Sequence, residues 1–99
     1  QAVFIPIADR HNDYCRRRAG ELRDLGFRAE VDDSSERMRA KIRRAQLDKI
    51  PYMLVVGDRE AEAGAVSVRL RTEEDLGSQP FHEFVARLTE IVKTRSADL

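Results

Sequence analysis

Few residues in this chain have the types and spacing that chemistry requires. Nucleophilic catalysis needs a serine or cysteine with a histidine and a carboxylate meeting in the fold. The chain has two histidines, His11 and His82, and one cysteine, Cys15. His11 stands at a helix entrance and His82 one residue past Phe81, and both read as ordinary surface histidines. Cys15 falls on or near the apolar face of a helix, where a small core thiol is expected rather than a nucleophile. No Cys/His pair has metal-ligand spacing, so no metal site is expected. Neither GxxxxGK[ST] nor GxGxxG occurs. Acids at strand ends (Asp9, Asp32, Asp33, Asp58) invite comparison with a phosphoacceptor receiver. Only Asp9 follows the first strand, however, and the βα repeats run out too early, so these acids read as turn formers and caps. We expect no catalytic residue in the chain.

Charge is the more informative signal. From Arg37 to Lys49 there are six bases (Arg37, Arg39, Lys41, Arg43, Arg44, Lys49) and one acid (Asp48), a balance of +5. From Asp58 to Leu76 six acids face three bases, a balance of −3. The formal net charge is zero, which argues against diffuse polyanion binding but allows a local patch. The run KIRRAQLDKIPYMLVVGDRE, Lys41 to Glu60, sets a basic helix directly before a buried strand. That arrangement suits holding a polyanion without acting on it chemically.

The elements that position these charges can be read from periodicity. With 99 residues the chain is one domain, 1–99, able to bury roughly 60–70% of its unfolded surface. Charged residues make up 36% and mean hydropathy is −0.55, a soluble globular profile. Ala2–Ile7 reads as a buried strand that stops or bends at Pro6. A helix is expected over Asn12–Leu25, with Tyr14, Arg18, Leu22 and Leu25 on one face and Gly26 as its stop. Phe27–Val31 alternates as a second strand, and Asp32 to Ser35 forms a polar turn. The basic helix follows, with Met38, Ile42 and Ala45 as its buried stripe, and Pro51 ends it. Tyr52–Val56 is a central strand buried on both sides, with Tyr52 a core residue at its edge. Ala65–Arg71 alternates as a further strand. Phe81, Phe84, Val85, Leu88, Ile91 and Val92 form a helical stripe after Pro80, with fraying from Thr94 onward. The order β-α-β-α-β-β-α predicts a layered α/β domain with a mostly parallel sheet edged by an antiparallel strand. A lone cysteine fits a reducing, cytoplasmic setting, and no apolar run approaches a membrane span. The chain starts at Gln1 and enters a strand at once, so a segment of a longer protein is expected.

The tract KIPYMLVVGDRE, followed by GAVSVRLR and then DLG, resembles the C-terminal anticodon-binding domain of class II aminoacyl-tRNA synthetases, in its bacterial threonyl branch. PIADRHNDYC, LRDLGFRAEVDD and EDLGSQPFHEFVARL extend the resemblance over essentially the whole chain. It implies a mixed sheet of about five strands with three helices, and recognition of a threonine tRNA anticodon stem-loop at its shared G and U. It places the guanine readers at Glu60 and Arg69, on side chains expected to converge on one base, and a contact to the third anticodon base at Lys49. A family asparagine falls on Ser35. Serine is shorter with one fewer donor, which favours contact through water there. Met38-Arg39-Ala40 lacks a family glycine, implying a different approach of the helix. Arg37, Lys41 and Arg44 are expected on phosphates. The resemblance implies a homodimeric parent enzyme using ATP, magnesium and zinc in a catalytic region outside this chain, and no cofactor within it. The competing expectation is a non-catalytic adaptor that reuses the same fold for RNA or protein contact.

Overall fold

The computed structural model describes residues 2–72 and 74–95. One five-stranded sheet organises them, in the order β2-β1-β3-β4-β5. Its strands are β1 (Ala2–Pro6), β2 (Ala29–Val31), β3 (Tyr52–Val56), β4 (Ala65–Leu70) and β5 (Asp75–Pro80). β1 pairs in parallel with both β2 and β3, whereas β4 and β5 add antiparallel partners. The helices are α1 (Asn12–Asp24), α2 (Met38–Leu47), α3 (Asp58–Ala63) and α4 (Phe81–Arg95), with a single 3₁₀ turn at Asp9–His11. The chain therefore has a fourth helix beyond the three expected. α3 holds only six residues between Gly57 and Gly64, too few to show a helical stripe.

The two faces of the sheet are covered unequally. On one, α1 and α4 bury Tyr14, Cys15, Ala19, Leu22, Phe81, Phe84 and Leu88 against Phe4, Leu54, Val56, Val66 and Val68. Tyr52 meets Phe84 edge to face at 5.8 Å, the expected core contact at the strand's edge. Tyr14 Oη donates to Ala65 O at 2.7 Å, satisfying its hydroxyl within the core. On the other face, among the described helices, α2 covers Val3, Ile5, Met53 and Val55 through Ala45 and the partly buried Ile42, helped by Ile50 just after the helix. No described helix lies on this side of β4 and β5.

Some local expectations shift. Leu25 lies past the end of α1 and is exposed, so it does not share the helix's buried face. α4 runs to Arg95, so Thr94 and Arg95, expected to fray, are helical, and the rest of that tail lies outside the described residues. α2 is rotated relative to its predicted stripe. Its buried residues are Lys41 and Ala45, Ile42 is half-buried and Met38 is exposed. α2 ends in a Schellman turn: Lys49 N–H donates to Gln46 O at 3.1 Å and Ile50 N–H to Ala45 O at 3.0 Å. Lys49 takes the left-handed position, φ 59°, that glycine normally fills.

Candidate nucleic-acid interface

Cationic side chains matter for polyanion binding only where they are accessible and unneutralised, and the basic helix divides on that test. Lys41 is 5% exposed. Its stem packs into the α2 face and Nζ donates to Pro6 O at 3.3 Å, at the end of β1. The expected phosphate contact at Lys41 is thus corrected: a long aliphatic stem took a core position and turned its ammonium to a carbonyl at the sheet end. Arg44 pairs with Asp32 at 3.2 Å and with Glu36, so acids of its own neighbourhood already balance its charge. The guanidinium groups of Arg37, Arg39 and Arg43 make no ion pair or hydrogen bond with any described residue.

These three arginines line one groove. It follows α2 from Glu36 to Gln46, includes Met38, Ala40 and Ile42, and reaches Arg69 on β4, with a volume of about 840 Å³. Arg69 stands opposite Met53 on β3, on the sheet face that α2 leaves open. Its Nη2 lies 3.7 Å from Asp75 Oδ2, an ion pair longer than a hydrogen bond. The groove therefore combines an apolar floor with four guanidinium groups, three of them uncompensated. Such a surface offers charge to phosphates and planar forks to base edges. Arg39 and Arg43 were not singled out from the sequence. Their signal was the i, i+4 spacing off the packed stripe, which the misplaced stripe concealed.

Glu60 and Arg69 are not brought together. Arg69 aligns with the second residue of β3, whereas Glu60 lies in the first turn of α3, beyond the opposite end of that strand. The intervening strand alone spans roughly 10 Å. Glu60 Oε1 accepts the Gly57 N–H at 2.8 Å, a capping bond that commits one carboxylate oxygen. A Cβ at position 57 would lie 2.9 Å from Ile7 Cδ1, the tip of an exposed side chain that can turn aside. Ser35 is exposed just before Glu36, at the end of the groove where α2 begins. The parallel β2-α2-β3 crossover places that end with Glu60. Lys49 lies after α2, at the Arg69 end, and its carbonyl accepts from Arg71 Nη1 at 3.4 Å. Arg71 was also not singled out.

The groups with catalytic potential are engaged elsewhere. His11 is 3% exposed, not a surface histidine. Its Nδ1 accepts the Ala8 N–H at 3.1 Å and its Nε2 lies 2.6 Å from Asp58 Oδ1. Arg10 grips the same carboxylate through Nε and Nη2, both at 2.8 Å. Arg10 first, then His11, hold the Asp58 carboxyl well below the usual carboxylate range. Arg16 likewise lowers Asp33, tying the β2–α2 loop to α1. Burial pushes the Cys15 thiol up to about 12, against the opposing pull of Lys41 and Arg16, so it stays protonated at neutral pH. His82 is exposed as expected. Among the described residues no group of three or more His, Cys, Asp or Glu is placed to hold a metal. No described helix is long and apolar enough to cross a membrane.

Comparison with known proteins agrees with this geometry. Residues 1–91 match the family model described as the anticodon binding domain. The whole chain is 48% identical over 99 residues to a threonine–tRNA ligase of Acidobacterium capsulatum, covering 14% of it. It is 54% identical, over 97% of its length, to the threonine–tRNA ligase of Deinococcus radiodurans, covering 15% of that protein. The chain thus spans about one-seventh of these curated relatives. Among solved structures, the RNA binding domain of a Cryptosporidium parvum threonyl-tRNA synthetase superposes with a TM-score of 0.85 at 28% identity, over 91% of this chain and 23% of that one. A prolyl-tRNA synthetase of the same organism shares the fold, with a TM-score of 0.81 at 22% identity over 95% of this chain and 20% of that one. A mixed sheet with one open face, an arginine-lined groove upon it and a family match over residues 1–91 lead to one conclusion: the chain belongs to the anticodon binding domain family.

Proposed function

We propose that the chain is the anticodon-recognising part of a threonine–tRNA ligase, and that the α2–β4 groove receives the anticodon loop. The observation that carries this reading is the set of uncompensated guanidinium groups of Arg37, Arg39 and Arg43 on the same groove as Arg69. Arg37, just before α2, and Arg39 and Arg43 on it attract the phosphates, and Arg69 presents a fork to O6 and N7 of the middle anticodon guanine. Lys49 addresses the third base from the same end of β3. Glu60 acts at the other end through its uncommitted oxygen, with Ser35 nearby reaching RNA through water. The parent protein would join threonine to its tRNA in the cytoplasm, as a homodimer, using ATP, magnesium and zinc in regions outside these residues. The relatives named as threonine–tRNA ligases support this assignment.

The test is binding to threonine tRNA transcripts, native and with the middle anticodon guanine replaced, across a salt series. The native transcript should bind more tightly at every salt concentration. Arg69→Ala should cost about 1–3 kcal/mol on the native transcript and little on the substituted one. Equal losses on both would remove Arg69 from base recognition. An adaptor sharing the fold would show no preference between the transcripts.

A further inference from the structure

A long arginine side chain on an open sheet face needs something to aim it if it is to read a base. Continuing the β4–β5 ladder regularly from Val68↔Gly77 would set Leu76 opposite Arg69. The register instead shifts between Val68 and Arg69, and Asp75 becomes the cross-strand partner. Gly77 makes the shift possible by adopting φ 81°, a left-handed backbone that other residues enter only under strain. Leu70 N–H donates to Glu74 O at 2.8 Å and closes the ladder beyond the irregularity.

We propose that Asp75 is the positioning residue for Arg69, and that the β4–β5 bulge exists to place it there. The carboxylate is anchored first: Asp75 Oδ1 accepts the Gly77 N–H at 2.8 Å. Its other oxygen then faces Arg69 Nη2 at 3.7 Å. At that separation attraction restrains the guanidinium without consuming its N–H donors, which stay available to a bidentate acceptor. Arg69 and Asp75 are 33% and 54% exposed, so the pair adds little to stability. Its consequence is orientation, and a nearby fixed carboxylate also disfavours additional anions such as misplaced phosphates. This role rests on the assignment of Arg69 to base recognition.

The test is a double-mutant cycle in the full-length protein, using Asp75→Asn, Arg69→Ala and both together. The readout is the ratio of affinities for native threonine tRNA and for the transcript with its middle anticodon base replaced. Asparagine keeps an oxygen for the Gly77 N–H but loses the charge, so the turn and the melting temperature should be retained. Asp75→Asn should lower the ratio about three- to tenfold when Arg69 is present, and not at all in the Arg69→Ala background. An equal fall in both backgrounds, or no fall in either, overturns the positioning role. A different result, in which Arg69→Ala leaves the ratio unchanged, overturns the assignment of Arg69 itself and the positioning role with it.

Discussion

The two faces of the sheet carry opposite designs. Against α1 and α4 the sheet is closed: Phe4, Leu54 and Leu22 are fully buried, and Arg18 lies over the rings of Tyr14 and Phe81 at 5.2 and 4.8 Å. Against α2 only β1 and β3 are covered, and β4 presents Ser67 and Arg69 at its partly exposed positions. The closed face supplies stability through burial. The half-covered face exposes backbone-anchored side chains on a rigid support, the arrangement in which a charged fork can be held ready for a ligand. Among the described residues, two long helices cover the first face and one covers the second, and the groove runs between that helix and Arg69 on β4.

The contrast can be broken most directly on the closed face. Leu54→Ala should cost about 3 kcal/mol in urea unfolding, because it removes a fully buried side chain between β3 and its covering helices. Arg43→Gln, on the open face, should change stability by less than about 0.5 kcal/mol. Comparable losses would mean that the groove arginines are structural after all.

A second experiment sharpens the contrast within the basic helix. Replacing Arg37, Arg39 or Arg43 singly with glutamine should lower the slope of log binding constant against log salt by about 0.7–0.9 each. Arg44→Gln should lower it less, because Asp32 and Glu36 already balance that charge. Arg10→Gln, far along the chain and paired with Asp58, should leave it unaltered. A uniform response from all five arginines would show net charge, not the groove, to be what the RNA feels.

The smallest effect concerns the paired charges at the C-terminal end of β3. The folded-state pKa of Asp58 is lowered, so its contribution to stability is present above the unfolded value, about 3.9, and is lost as pH falls through the folded one. The wild type should therefore lose more stability than Asp58→Asn when pH is taken from 5 to 2. The two should bind tRNA alike at neutral pH. Superimposable acid limbs would show that the Arg10–His11–Asp58 cluster adds nothing to the fold.

Much of this was legible in the residues, and the failures have physical reasons. β1, β3 and β4 announced themselves through apolar runs and alternation. β5 did not: Asp75–Pro80 is mostly exposed and contains a glycine, so its strand character comes from pairing with β4 and not from its own pattern. The resemblance to a family supplied the fifth strand that the pattern lacked. Lys41 was misassigned because a lysine in a stripe position reads as polar, although its stem is as apolar as a leucine's. His11 was misread because its partners, Ala8 and Asp58, converge only after folding. The positive charge of α2 was evident from composition. Which charges remain free was not, since that depends on Asp32 and Glu36 reaching back to Arg44.

The turn that ends α2 sets a conflict for anyone improving this domain's endurance. Lys49 holds a backbone conformation that costs a side-chain-bearing residue about 1 kcal/mol relative to glycine. A library selected for heat resistance would thus be expected to return Lys49→Gly early. The same change would strip a cation from the end of β3 that lies alongside Arg69 of β4. Selection for robustness and selection for RNA binding would pull this one position in opposite directions.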